Sequence, residues 1–162
     1  MKNIYFLLLI PFLFGSCDTR YKSRYTAVPL SKMSVERKAV AMDFVEAYIN
    51  KCDNKDYSEF EGFNISKKFQ AKLSADSLKR SCNYLHYKNG KIKVEKLVSA
   101  HTTKSPKDFL DVLNFKITTE KSTTPVYLHL GMYRDQNFIE MPFYVSADES
   151  HYESVRKKYI KK

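Results

Sequence analysis

Tyr127, His129 and Glu140 are the side chains of this chain best suited to acid–base chemistry. An imidazole moves a proton near neutral pH, a carboxylate orients or accepts it, and a phenol donates to a developing oxyanion. Two apart on one strand, Tyr127 and His129 share a face, with Tyr133 beyond. Glu140 and Tyr144 take the alternate face of the next strand. They form a speculative pocket only if that face lines a cavity. Val126, Leu128, Leu130 and Met132 make the other face apolar, and that is the one that must meet the helices. The polar side is therefore expected to be a solvated sheet surface, and no residue is assigned to catalysis. His86, His101, His129 and His151 lack the spacing of metal ligands. The acidic run from Asp53 to Glu61 has no calcium-loop pattern. Neither Ser nor Cys lies in a nucleophile motif. With four glycines in 162 residues, no phosphate-cradling loop is present. No cofactor and no metal are expected.

Cys52 and Cys82 are the other chemically expressive pair. Cys52 follows Ile49 by three on a helical stripe, and Cys82 stands between Leu78 and Leu85 on another. Both point inward near helix ends, which suits either a disulfide or two buried thiols.

The elements that must position these residues are legible from periodicity. Ser34 caps a helix with Glu36 in its first turn, and Val35, Ala39, Met42, Val45 and Ile49 recur at helical spacing, widened by Ala41, Phe44 and Tyr48. Ser66 to Leu73 forms a helical turn, and Ser74 caps a further helix that Asn89-Gly90 stops. The period then falls to two. Ile92, Val94 and Val98 share one side, with a phase break at Lys96 that marks a bulge. Leu113, Phe115 and Ile117 form the next strand, then Val126 to Met132, then Ile139, Met141, Phe143 and Val145. Short connections make the strands antiparallel hairpins, and Pro142 marks an edge strand or a bulge. Ser150-His151-Tyr152-Glu153 is a capping box for a basic terminal helix. That helix either lies on anionic lipid or caps an open sheet edge, and the narrow stripe of Tyr152, Val155 and Tyr159 favours capping. The fold class is α+β: N-terminal helices packed on a curved antiparallel sheet of about four strands, plus a C-terminal helix.

Three stretches, "AVAMDFVEAYINKCDNKDY", "ISKKFQAKLSADSLKR" and "GKIKVEKLVSAH", followed by the hairpin around "PVYLHLGMYRDQNFIEMPFYV", resemble small bacterial proteins of the nuclear-transport-factor-2-like group, cousins of the cystatin-like folds. The likeness covers most of residues 35 to 146. It implies a helix cradled by a sheet, and in some enzymes of the group a Tyr or His working with an acid inside the cone.

The chain opens with Lys2 and an apolar run from Ile4 to Phe14, which is too short to span a bilayer. Phe14-Gly15-Ser16-Cys17 resembles the lipobox of bacterial lipoproteins, in which cleavage before the cysteine leaves its thiol to carry a diacylglyceryl group. The expected organisation is a signal peptide over 1–16, a flexible tether over 17–33 starting at lipidated Cys17, an α+β domain over 34–147 and a basic helix over 148–162. The expected location is the bacterial envelope, anchored to a membrane, with the domain in the periplasm or at the cell surface.

The formal charge is +10, and twelve tyrosines and eleven phenylalanines accompany it. An envelope location excludes nucleic acid as the partner of that charge. Exposed tyrosine instead suits protein recognition, because it joins contact area to a hydroxyl. The expected function is a non-enzymatic binding or interaction module, with the bilayer as one partner through Cys17 and an envelope protein as another. The alternatives are a cone-pocket enzyme using Tyr127, His129 and Glu140, and an immunity or inhibitor protein.

Overall fold

The computed structural model describes residues 25–103, 109–134 and 137–160. The leader and Cys17 lie outside the described residues. Five strands form one antiparallel sheet in the order β1-β2-β3-β4-β5. They are β1 (Tyr25–Ala27), β2 (Ile92–Thr103), β3 (Leu110–Thr119), β4 (Val126–Tyr133) and β5 (Ile139–Ser146). The helices are α1 (Val35–Asn54), α2 (Lys67–Gln70), α3 (Ala75–Asn89) and α4 (His151–Ile160). None of the helices among the described residues is long and apolar enough to cross a membrane.

The first strand is a departure from the sequence pattern. Residues 17–33 read as a polar tether, yet Tyr25–Ala27 pair with His101–Thr103 of β2. Val28 and Leu30 then pack on the core, and Met33 is buried within it. Three paired residues give too short an alternation to stand out from a polar background.

Each main element follows from local chemistry. Ser34 caps α1 by accepting a hydrogen bond from the Arg37 backbone N–H. The buried stripe of α1 is Arg37, Ala41, Phe44, Val45, Tyr48, Ile49 and Cys52. It runs about half a turn away from the Val35–Ala39 edge of the expected stripe, and Val35 is 80% exposed. Arg37 explains the shift. Its guanidinium donates to the carbonyls of Met132, Tyr133 and Arg134 and to Asp111 on β3, tying the start of α1 to the far end of β4. Asp111 is buried and also accepts from Arg134. Two guanidinium partners and hydrogen bonds on both oxygens are what a buried carboxylate requires.

Leu113, Phe115, Ile117, Leu128, Leu130, Met132 and Ile139 meet Phe44 and Val45 on the helix face of the sheet. Aromatic rings fill the rest, with Phe44 in contact with Phe60, Phe63, Phe69 and Phe143. β2 shifts register between Val94 and Lys96 and again between Leu97 and Ser99, at the expected bulge. β5 is the edge strand, and Met141 and Pro142 fall out of register opposite the Leu130–Gly131 step.

Candidate functional site

Cys52, near the end of α1, and Cys82, in the middle of α3, form a disulfide, with Cα atoms 5.0 Å apart. Spacing alone left that pairing open. The bond holds α3 against α1, and α3 is one wall of an open groove of about 810 Å³. The other wall is β5 from Phe143 to Ser146, and Tyr48 and Val126 contribute from within. Arg80, Ser81, Tyr84, Leu85 and Lys88 face it from successive turns of α3, as the 3.6-residue repeat requires. Among the described residues, two cations line the groove and no carboxylate does. Burial raises the Tyr48 phenol above the usual tyrosine range, so it stays neutral against a hydrogen bond with Ser81.

The groove is aromatic and basic at Tyr84 and Lys88, and this patch continues outside its lining to Tyr87 and Lys121. Tyr84 and Tyr87 are 64% and 73% exposed. The Lys88 ammonium lies 5.9 Å and 5.7 Å from their ring centres, and Lys121 lies 5.6 Å from Tyr87. These contacts hold cations over ring faces without neutralising them.

The three acid–base candidates do not share a cavity. His129 does lie on the sheet face opposite the helices, as its parity requires, but that face is not solvated there. His129 is fully buried. It belongs to a row running Ser99, Asn114, His129 and Tyr144 across β2 to β5. The start of α4 covers this row. The His151 backbone N–H donates to Asn114 Oδ1 at 3.1 Å, and the Tyr144 hydroxyl meets His151 Nδ1 at 2.8 Å. An N–H can only donate, so the Asn114 atom facing it is the oxygen, and His129 Nδ1, 2.7 Å from that same oxygen, carries a proton. In the neutral ring Nε2 then accepts from the Ser146 hydroxyl at 2.8 Å. Both ring nitrogens are committed, and no substrate reaches them. Burial, then the charge of nearby His151, lowers the His129 pKa to about 4 against an opposing pull from Asp148.

Glu140 is also buried, at the β5 edge. It accepts from the Ser66 hydroxyl at 2.7 Å and from the Met141 backbone N–H at 2.7 Å. Tyr127 is half-buried opposite Lys116 and Ser146. The expected solvated sheet face is thus corrected for His129 and Glu140, which are buried and hydrogen-bonded within the protein. The helix that covers His129 sits on a sheet face rather than on an edge, because its first turn bonds to Asn114 of the central strand. His101 joins the same row through Asn114, at 3.4 Å, so three histidines remote in sequence gather here. Among the described residues no group of His, Cys, Asp and Glu is placed to hold a metal. A smaller pocket of about 480 Å³ opens beside His101, between β1, β2 and the start of α4, with Glu149 and Glu153 on its wall.

No family model, curated protein or solved structure matches the chain. The groove was missed by reading the strands for chemistry. Its sequence signal is on α3, where Arg80, Tyr84, Tyr87 and Lys88 form the polar face of a helix whose apolar face is Leu78 and Cys82.

Proposed function

We propose that this chain is a non-enzymatic binding module held at a bacterial envelope membrane by acylated Cys17, and that the groove between α3 and β5 is its binding site. The observation that carries the reading is the groove itself: an open channel with an aromatic floor and mouth, two cations and no carboxylate on its walls. Concave sites that combine apolar area with a few fixed polar groups are where ligands bind. The rival enzyme reading needs a reachable base. His129 and Glu140 are both buried and fully engaged in hydrogen bonds to the protein. The lipobox-like Phe14-Gly15-Ser16-Cys17 supports the anchor, and the disulfide agrees with an oxidising compartment. The helix-on-sheet arrangement, with a meander after the helices, supports kinship with the nuclear-transport-factor-2-like group.

Replacing Tyr84 by a photoreactive amino acid in intact cells tests the site. Discrete crosslinked adducts are expected there and not with the same probe at Val35, which is equally open to solvent but outside the groove. Adducts that are absent at 84, or identical at 84 and 35, would rule the groove out.

A further inference from the structure

We infer that the groove receives an acidic protein segment in extended conformation, which adds to the outer edge of β5 and sets its carboxylates against Arg80 and Lys88. This rests on the binding reading above and names the class of partner.

The edge comes first. β5 is the last strand of the sheet. Its outer side is occupied at one end only, where Ile139 exchanges hydrogen bonds with Asn64 and Ser66. From Phe143 to Ser146 no described segment pairs with it, and these four residues are only half-buried. A strand edge of this kind offers backbone N–H and C=O groups to an incoming chain. The groove supplies the space beside it, and α3 bounds that space on the far side. A peptide laid along β5 would turn alternate side chains down to the Tyr48–Phe143 floor and up to the open mouth, where the exposed Arg80 and Lys88 of the α3 wall stand.

Charge selects among possible occupants. Arg80 and Lys88 are exposed, and no carboxylate pairs with either among the described residues. Lys121, over the Tyr87 ring, adds positive charge next to Lys88. A second copy of this chain carries +10 overall, and its acidic run from Asp53 to Glu61 is held in the fold, with Asp53 on His86 and Asp56 on Lys51, rather than offered as an extended strand. Residues 104–108, Lys-Ser-Pro-Lys-Asp, and 18–24, with Arg20, Lys22 and Arg24 against Asp18, supply no acidic stretch. The occupant with matching charge is therefore another protein, and complementary charge would speed its capture. A flat lipid surface matches the charge but does not enter a channel between a helix and a strand.

The test uses the full chain and a pool of synthetic octapeptides that alternate Glu or Asp with Val, Ile, Phe or Tyr. Binding is read by fluorescence polarisation beside four comparisons: the same pool with Lys for the acids, the acidic pool N-methylated at alternate amides, phosphatidylglycerol vesicles, and dodecanoate. The acidic pool should bind, and the lysine and N-methylated pools should bind roughly tenfold more weakly or worse. The double variant Arg80→Glu/Lys88→Glu, both sites being on the surface, should keep the wild-type circular dichroism and reverse the preference toward the lysine pool. Equal binding of the N-methylated pool would overturn strand addition. Binding of vesicles or dodecanoate without the acidic pool, or of nothing at all, would overturn the partner class. A photocrosslink at position 84 together with failure of the acidic pool would leave the binding reading standing and sink this inference alone.

Discussion

At the scale of single residues, His129 shows how a side chain typical of active sites becomes a structural one. Parity along β4 places it correctly on the face away from Leu128 and Leu130. What parity does not show is that Asn114 and Tyr144 stand beside it in the same row, or that a helix starting at His151 closes over them. Those are facts of register and of a contact 37 residues away. Arg37 and Asp111 were more nearly legible. Asp111 shares the parity of Leu113, and Arg37 lies four residues before Ala41 on the buried stripe, so the pattern itself carries an inward carboxylate and an inward cation. The consequence for His129 is measurable. Its folded pKa, about 4, lies below the roughly 6.5 of an unfolded histidine, so the unfolded chain binds the proton more readily. The stabilisation from the neutral ring is complete above pH 6.5 and is lost as pH falls from 6.5 to 4, by up to about 3 kcal/mol. Protonation would turn Nε2 into a donor to Ser146, whose own hydrogen would turn to the Asp148 carbonyl, 3.3 Å away. His101, also depressed by burial and opposed by Glu149 and Glu153, adds a slope of the same sign. Urea unfolding of wild type and His129→Gln across this range separates the two. The variant should be less stable at pH 7 and show a flatter profile, and parallel profiles would refute the assignment.

Among the elements, α3 is legible in the sequence as a helix but not in its position. Its cap, its stop at Asn89-Gly90 and its apolar residues Leu78 and Cys82 all follow from spacing, and the structure keeps them. Its position does not follow, because only the disulfide says which side of α1 it joins. That bond connects residues 30 apart in sequence. In the chain-entropy account, closing such a loop stabilises the fold by about 3 to 4 kcal/mol. Contact between the two helices alone is modest, since α3 buries Leu78 and Cys82 fully but leaves Tyr84 and Tyr87 outside. The Cys52→Ala/Cys82→Ala variant should therefore unfold at lower denaturant by that margin, and the amides of α3 should exchange faster than those of β3 and β4. Wild type in reductant should behave the same way. An unchanged midpoint in both samples would show that packing alone positions the groove wall. The strand β1 is the opposite case, clear in the structure and silent in sequence, because three residues pairing with the end of β2 need no pattern of their own.

For the whole molecule, the strand β1 shortens the tether that a lipidated Cys17 would have. A tether ending at Met33 would let the domain roam, whereas Tyr25 is already paired in the sheet, which leaves at most residues 18 to 24 between it and Cys17. Fully extended, that stretch spans roughly 25–30 Å. A lipidated Cys17 would thus hold the domain within about its own diameter of the headgroups, while the +10 charge is screened beyond about 8 Å at physiological salt. Two forces would then act on different ranges: acyl chains would retain the protein, and the basic surface would orient it only on close approach. Salt distinguishes them. Full-length protein in washed membranes should stay bound in 1 M salt, and Cys17→Ser should leave the membrane at that salt and lose incorporation of labelled fatty acid. If Cys17→Ser remained bound at 1 M salt and still carried label, the lipid would be attached elsewhere. If wild type itself were released by salt, charge alone would be the anchor and the lipobox resemblance would carry no chemistry.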